Sequence, residues 1–289
     1  MILPLPYGVE GGAARPPRTV IALIAACAIA FALSNRSDTG AIAKEEASLE
    51  RLAAWELEQL AASDRVLAGE RERFPSTLAY LAAGAGWRER IAEAATRERL
   101  EGYLSDYQAL TVRHPFYRYG LVPARLSLTG LVGHLFLHGD LLHLFFNMLF
   151  LWAVGAVLES DWGAGLFLAF YAACGFAAAL THAASMPASL EPAIGASGAI
   201  AGLMGAFAMQ RARSRVRVIL YYGPVRDLLV PAWVFLGAWF LEQVFFLAMT
   251  SRIQIGVAFG AHVGGFVFGA AASFLPRAWV ERSAGGGAG

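Results

Sequence analysis

Six stretches of the chain are apolar with at most one charged residue, and a long segment of another kind separates the first two. The first, Val20–Ser34, carries no charge and, with its flanks, is just long enough to span a bilayer. Arg15 and Arg18 precede it and small residues follow it, the layout of a signal peptide as well. A retained helix is the expectation, because the later helices need a partner. The other five are Leu141–Leu158, Leu166–Ala184, Ser197–Met209, Leu228–Met249 and Phe259–Leu275. The run at Ser197 is too short for a full span, so the backbone leading to it must be buried in protein or line a wet cavity.

Ala41 to Asp106 is dense in Ala, Leu, Glu and Arg. Leu49, Leu52, Ala53, Leu57 and Leu60 recur near helical spacing with charges between them. The pattern predicts two or more amphipathic helices, broken at Phe74-Pro75 and around Gly84–Gly86. These helices would form an extramembrane cap, a spacer or a docking module for a partner.

The predicted fold is therefore an all-α polytopic membrane protein, a bundle of six transmembrane helices with an inserted helical subdomain. Residues 1–18, rich in Gly and Pro, are expected to be a disordered cytoplasmic N-terminus. The first transmembrane helix is assigned to 19–35, an outer-face helical insertion to 36–126, helices 2–6 to 127–276 and a flexible cytoplasmic tail to 277–289. Arginines set the orientation. Arg15 and Arg18, the group Arg211, Arg213, Arg215, Arg217 and Arg226, and then Arg277 and Arg282 all fall on one face of a six-span protein. That face is expected to be cytoplasmic, which turns the insertion and the loop Met186–Ala196 outward.

Composition agrees with a lipid solvent. The chain is 57% hydrophobic and 16% charged, with a mean hydropathy of +0.51, whereas a soluble domain has about a quarter of its residues charged. A net charge of +1 implies no general electrostatic partner. No cluster of Lys/Arg with interleaved aromatics suggests nucleic-acid binding. Cys27 and Cys174 lie in apolar runs and read as small buried hydrophobes. Richness in Ala, Arg and Gly suggests a bacterial chain, hence a cell (inner) membrane.

Polar residues within spans are costly and by default mark function. The first group is His134, His138, His143 and Asn147. Asp140 is placed to cap the second helix, with His143 in its first turn and Asn147 one turn on along the same face. Taken alone, the histidines would also suit a metal ion, but no H-E-x-x-H occurs and Asp140 is the only carboxylate nearby. The second group is Gly195-Ala196-Ser197-Gly198, where a serine opens a short helix. Such a serine is either a packing residue or a nucleophile beside free backbone N–H donors. The third is His262 within Phe259–Gly269. Gly198/Gly202, Gly260/Gly264 and Gly265/Gly269 have the small-x-x-x-small spacing that lets two helix backbones approach. Ser197 would then meet His262, in a structural hydrogen bond or as an activated nucleophile.

The three motifs, His138-x4-His143-x3-Asn147, Gly195-Ala196-Ser197-Gly198 and Ala261-His262-Val263-Gly264-Gly265, resemble those of the rhomboid intramembrane serine proteases, in family order from His134 to Gly269. The resemblance implies a serine endopeptidase that cuts single-span membrane proteins after small residues, through an acyl-enzyme and without metal or cofactor. It implies Ser197 as nucleophile, His262 as base, and His143, Asn147 and the Ser197 N–H as the oxyanion hole. His138 and Gly195 are implied as supporting residues and Glu159 as a structural carboxylate. Rhomboids use a dyad; Glu242 is the only membrane-embedded carboxylate that would add a third member. Many relatives carry an aromatic residue one turn after the nucleophile, where this chain has Ala201, so either Phe259 or Phe266 supports the imidazole instead or the site is looser. Trp87-Arg88 repeats a dipeptide of the family's first outer loop but lies too far upstream to carry its role. The alternative is a catalytically inactive rhomboid-like protein that binds membrane clients. Sequence does not fix the oligomeric state.

Overall fold

Nearly every uncharged apolar run is helical in the structure, a computed structural model describing residues 3–10, 12–34, 39–61, 64–72, 74, 76–82, 86–187, 189–221, 225–249 and 257–276. Arg277 and Arg282, on which part of the orientation rested, lie outside the described residues, as do Pro75, Gly84 and the tail 277–289. In chain order the elements are β1 (Leu3–Val9), α1 (Arg18–Ser34), α2 (Thr39–Ala61), α3 (Arg65–Arg71), α4 (Thr77–Ala82), α5 (Trp87–Arg90), α6 (Ala94–Arg113), α7 (Pro115–Tyr119) and α8 (Leu128–Gly133). There follow α9 (Leu141–Phe150), a π-helical turn (Leu151–Gly155), α10 (Ala156–Trp162), α11 (Ala164–Ser185), α12 (Ser197–Gln210), β2 (Arg215–Tyr221), β3 (Val225–Pro231), α13 (Ala232–Met249) and α14 (Phe259–Ala272). The chain divides into two compact units.

The first unit holds Met1–Phe31, His134–Ser185 and Ile194–Gly289. Among its described residues four helical stretches are long and apolar enough to cross a membrane: Leu141–Trp162, Ala164–Ser185, Ala232–Met249 and Phe259–Pro276. This is an integral membrane protein. The stretch at Arg18–Ser34 is apolar but shorter. At 14 residues, α12 rises only about 21 Å, less than a hydrocarbon core of about 30 Å. Gly198 through Phe207 are all buried in α12. A helix surrounded by others needs no polar face, which is why this segment is Ala/Gly-rich all round.

Glu159 shows how α1 is tied into this unit. Its carboxylate is 6% exposed and accepts from the backbone N–H groups of Thr19 and Val20, both at 2.8 Å. Those donors lie in the first turn of α1 and have no partner within the helix. The negative charge also sits at the positive end of the helix dipole. Val20 and Cys27 of α1 are fully buried. Glu159→Ala is expected to lower stability by about 1–3 kcal/mol, because the buried Val20 N–H and the half-buried Thr19 N–H lose a charged acceptor. Thermal unfolding in detergent checks this, and an unchanged midpoint would refute it.

Three expectations are corrected. The fold is not all-α: β1, β2 and β3 form an antiparallel sheet in that order. The N-terminus is not disordered throughout, since Leu3 pairs with Tyr221 and Val9 with Val216. The physical reason is a period of two in Arg215-Val216-Arg217-Val218, which buries both valines and leaves both arginines exposed. Reading those arginines only as orientation signals hides the alternation. Pro4 and Pro6 fit because β1 is an edge strand with an irregularity between Pro6 and Gly8. β3 takes up Leu228–Pro231, so α13 starts at Ala232 rather than at Leu228.

The second unit comprises Ala32–Gly133 and Met186–Ala193. Helices α2 and α6 bury Ala53, Leu57, Leu100 and Leu104. Trp87 is fully buried here; its indole N–H donates to Leu81 O at 3.0 Å, and the Arg88 guanidinium lies 4.4 Å over its ring. Trp87 is thus part of this unit's core, while Arg88 lies at its surface and pairs with Glu101 at 3.0 Å. Gly86, with φ +75°, turns the chain into α5. The buried Glu56 carboxylate receives two bonds from Arg99. The Tyr117 hydroxyl donates to Glu46, whose carboxyl burial holds above its usual range.

Candidate active site

The site begins with a cap. Asp140 Oδ1 accepts the His143 N–H at 2.8 Å and starts α9. His143 Nδ1 accepts from Gly139 N–H at 3.4 Å, so the ring hydrogen lies on Nε2. Nε2 faces Gly195, where a Cβ would come within 2.7 Å of it. One turn on, the Asn147 amide donates to His143 O at 2.8 Å, and its Oδ1 is buried without a partner among the described residues. His138 is buried, donates from Nδ1 to Phe136 O at 3.2 Å and packs edge-on to His143 with ring centroids 5.2 Å apart. Among the described residues no three His, Cys, Asp or Glu side chains gather to hold a metal ion.

The loop into α12 is set by its backbone. Gly195 N–H donates to His134 O at 2.8 Å, and Gly195 has φ +120°, which L side chains rarely adopt. That turn delivers Ser197 at the start of α12. The α12–α14 packing then decides what Ser197 meets. A Cβ on Gly265 would fall on Gly198 O, one on Gly269 on Gly202 O, and one on Gly205 on Phe266 O. With no side chain between the two backbones, His262 Nε2 reaches Ser197 Oγ at 2.8 Å.

His262 has a second polar partner, to which the sequence motifs do not point. His262 Nδ1 lies 2.8 Å from Gln243 Oε1, and Gln243 on α13 is 6% exposed. Glu242, the carboxylate singled out in the sequence, is exposed on α13 and takes no part. With Ala201 one turn after Ser197, aromatic contact with the imidazole comes from α13 and α14. The Trp239 ring lies 5.8 Å from that of His262, tilted 39°, while Phe259 stands edge-on at 6.2 Å. Phe266 packs beside the imidazole's neighbour Trp239, with ring centroids 6.3 Å apart. The available signal was the i, i+4 spacing of Trp239 and Gln243, which puts both on one helix face.

A cavity of about 420 Å³ joins these groups. Asp140, His143, Asn147, Ser197 and His262 line it, and Phe146, Phe150, Ile200 and Met204 give it apolar walls. Such a cavity offers a hydroxyl, an imidazole and N–H donors to an apolar ligand.

Comparison with known proteins adds the following. The family model described as Rhomboid domain matches residues 125–278. Rhomboid protease GluP of Bacillus subtilis is 36% identical over 142 residues, 49% of this chain and 25% of that protein. Rhomboid protein 1, mitochondrial, of Saccharomyces cerevisiae is 30% identical over 150 residues, 50% of this chain and 40% of that protein. The chain thus spans well under half the length of either relative.

Proposed function

Since the chain belongs to the rhomboid family, we propose that it is an intramembrane serine endopeptidase with Ser197 as nucleophile and His262 as general base. The observation that carries this reading is the 2.8 Å contact between Ser197 Oγ and His262 Nε2 inside an apolar, glycine-packed unit. A half-buried polar pair among membrane helices is costly unless it has a task.

Ser197 Oγ attacks the scissile carbonyl and passes its proton to His262 Nε2. The oxyanion is held by the Ser197 N–H, His143 Nε2–H and the Asn147 amide. His262 then protonates the leaving amine, and water hydrolyses the acyl-enzyme. His138 packs against His143, and Gly195 leaves the room a Cβ would take. The substrate is a membrane protein with a single span, which approaches laterally beside α13. Only 17% of α13 is buried, against between 39% and 50% for the other three long spans. We place six spans in the membrane, the four long ones plus α1 and α12, with both termini cytoplasmic and residues 36–126 as an outer-face insertion.

A fluorophosphonate probe tests the nucleophile directly. The purified protein is expected to take up one probe on Ser197, found by peptide mass spectrometry. Wild-type protein that neither labels nor cleaves a transmembrane reporter would count against the protease and favour client binding. Asn147→Ala is expected to lower kcat by about 10²–10³-fold, as for loss of one oxyanion donor. Wild-type kcat in that variant would remove Asn147 from the oxyanion hole.

A further inference from the structure

We infer that Gln243 is a positioning residue that makes the proposed dyad a triad, its amide oxygen holding His262 in the one tautomer able to act as base. The inference rests on the protease reading above. A neutral imidazole carries one hydrogen, on Nδ1 or on Nε2. Only the Nδ1–H form presents a lone pair from Nε2 to Ser197 Oγ–H. Gln243 Oε1, 2.8 Å from Nδ1, accepts that hydrogen. With the amide turned the other way, Gln243 would donate to Nδ1, the ring hydrogen would move to Nε2, and Ser197 would lose its base. Both 2.8 Å contacts of His262 thus serve catalysis with a single amide orientation.

Burial makes the choice consequential. Gln243 is 6% exposed, so water does not readily replace its oxygen. Cysteine proteases with a Cys-His-Asn set use an amide oxygen against the far imidazole nitrogen in the same way. A neutral amide also suits this place, since it orients the ring without fixing a full negative charge inside the membrane. Trp239, one turn before Gln243 on α13, covers the ring. One helix therefore supplies both the hydrogen-bond partner and the aromatic wall of the base. The other titratable groups facing His262 are His143 of α9 and His182 of α11, and Asp140 lines the same cavity.

The test compares Gln243→Leu and Gln243→Glu with wild type in kcat, KM and the pH profile, with folding followed by thermal unfolding. Gln243→Leu is expected to lower kcat, and the rate of fluorophosphonate labelling with it, by about 10²-fold at unchanged KM. Gln243→Glu is expected to keep activity at high pH but to move the acidic limb of kcat/KM upward by about one pH unit. Its carboxylate stabilises the imidazolium, so a higher pH is needed to free the base. Folded variants with wild-type kcat and an unmoved acidic limb overturn the inference. A third measurement needs no variant at this position. In wild-type protein labelled with ¹⁵N-histidine, the His262 signals, assigned by their loss in His262→Ala, are expected to show hydrogen on Nδ1. Hydrogen on Nε2 in the neutral ring overturns the inference even where both variants fail to fold. A protein that fails as a protease shows itself separately, as wild type that neither cleaves nor labels.

Discussion

Ser197→Ala and His262→Ala are each expected to reduce cleavage of a transmembrane reporter by about 10⁶-fold in kcat, the scale on which loss of a serine-protease nucleophile or base is felt. The two effects are expected not to add. Once either partner is gone, the other has nothing to act on, so the double variant should match the singles. Stability should change little. Ser197→Ala removes one hydroxyl whose partner, His262, keeps its bond to Gln243. An unchanged melting midpoint combined with lost turnover would separate chemistry from folding. Undiminished cleavage by either variant would remove the dyad, and the cut would then have to be traced to another group or to a contaminating protease.

Gly265→Leu should act on the fold itself. A Cβ at Gly265 would fall on the carbonyl of Gly198, and backbone cannot step aside as a side chain can. Helices α12 and α14 would have to part along a contact that also includes Gly202, Gly205 and Gly269. Packing, rather than a hydrophobic drive between helices, holds such bundles together. A loss of about 3 kcal/mol or more is expected, at or beyond the upper end for overpacked cores. It should appear as a lower unfolding midpoint in detergent together with loss of activity. Gly237→Ala is the control. A Cβ there meets nothing within 4 Å, so stability and cleavage should both stay near wild type. If Gly265→Leu melts with wild type, the close approach of the two helices is wrong, and with it the cause of the Ser197–His262 contact.

Some of this was legible in the sequence and some was not. Apolar runs declare membrane helices because lipid demands them, and glycines at four-residue spacing declare which helices touch. Ser197, His262, His143 and Asn147 are readable because a polar group among apolar residues is conspicuous, and the structure collects them around one cavity. Gln243 was overlooked because its neighbour Glu242 carries the charge. Successive residues on a helix point about 100° apart, so one of the pair faces His262 and the other is exposed. Only the phase of α13 decides which, and an apolar helix with weak amphipathicity does not reveal its phase. The sheet was hidden for another reason. The strand at Leu3–Val9 contains two prolines and owes its conformation to a partner some two hundred residues away, so local preference says little about it. The π-helical turn at Leu151–Gly155 has no sequence signal either. Its setting is visible only in three dimensions, where a Cβ on Gly155 would press on Val20 of α1 and Phe167 of α11.

The carboxylate of Glu159 also imposes an order of assembly. It lies about 140 residues after the N–H groups that it caps, so α1 leaves the ribosome long before its cap has been synthesised. Until then the first turn of α1 has only water to satisfy it, and hydrocarbon offers none. A helix end without that acceptor is expected to stay where water can reach its N–H groups. Docking of Glu159 then replaces water at that end and commits α1 to the bundle. The carboxylate is thus a latch that closes late in biogenesis, and a chain lacking it should leave α1 exposed to the proteases that survey unassembled membrane segments.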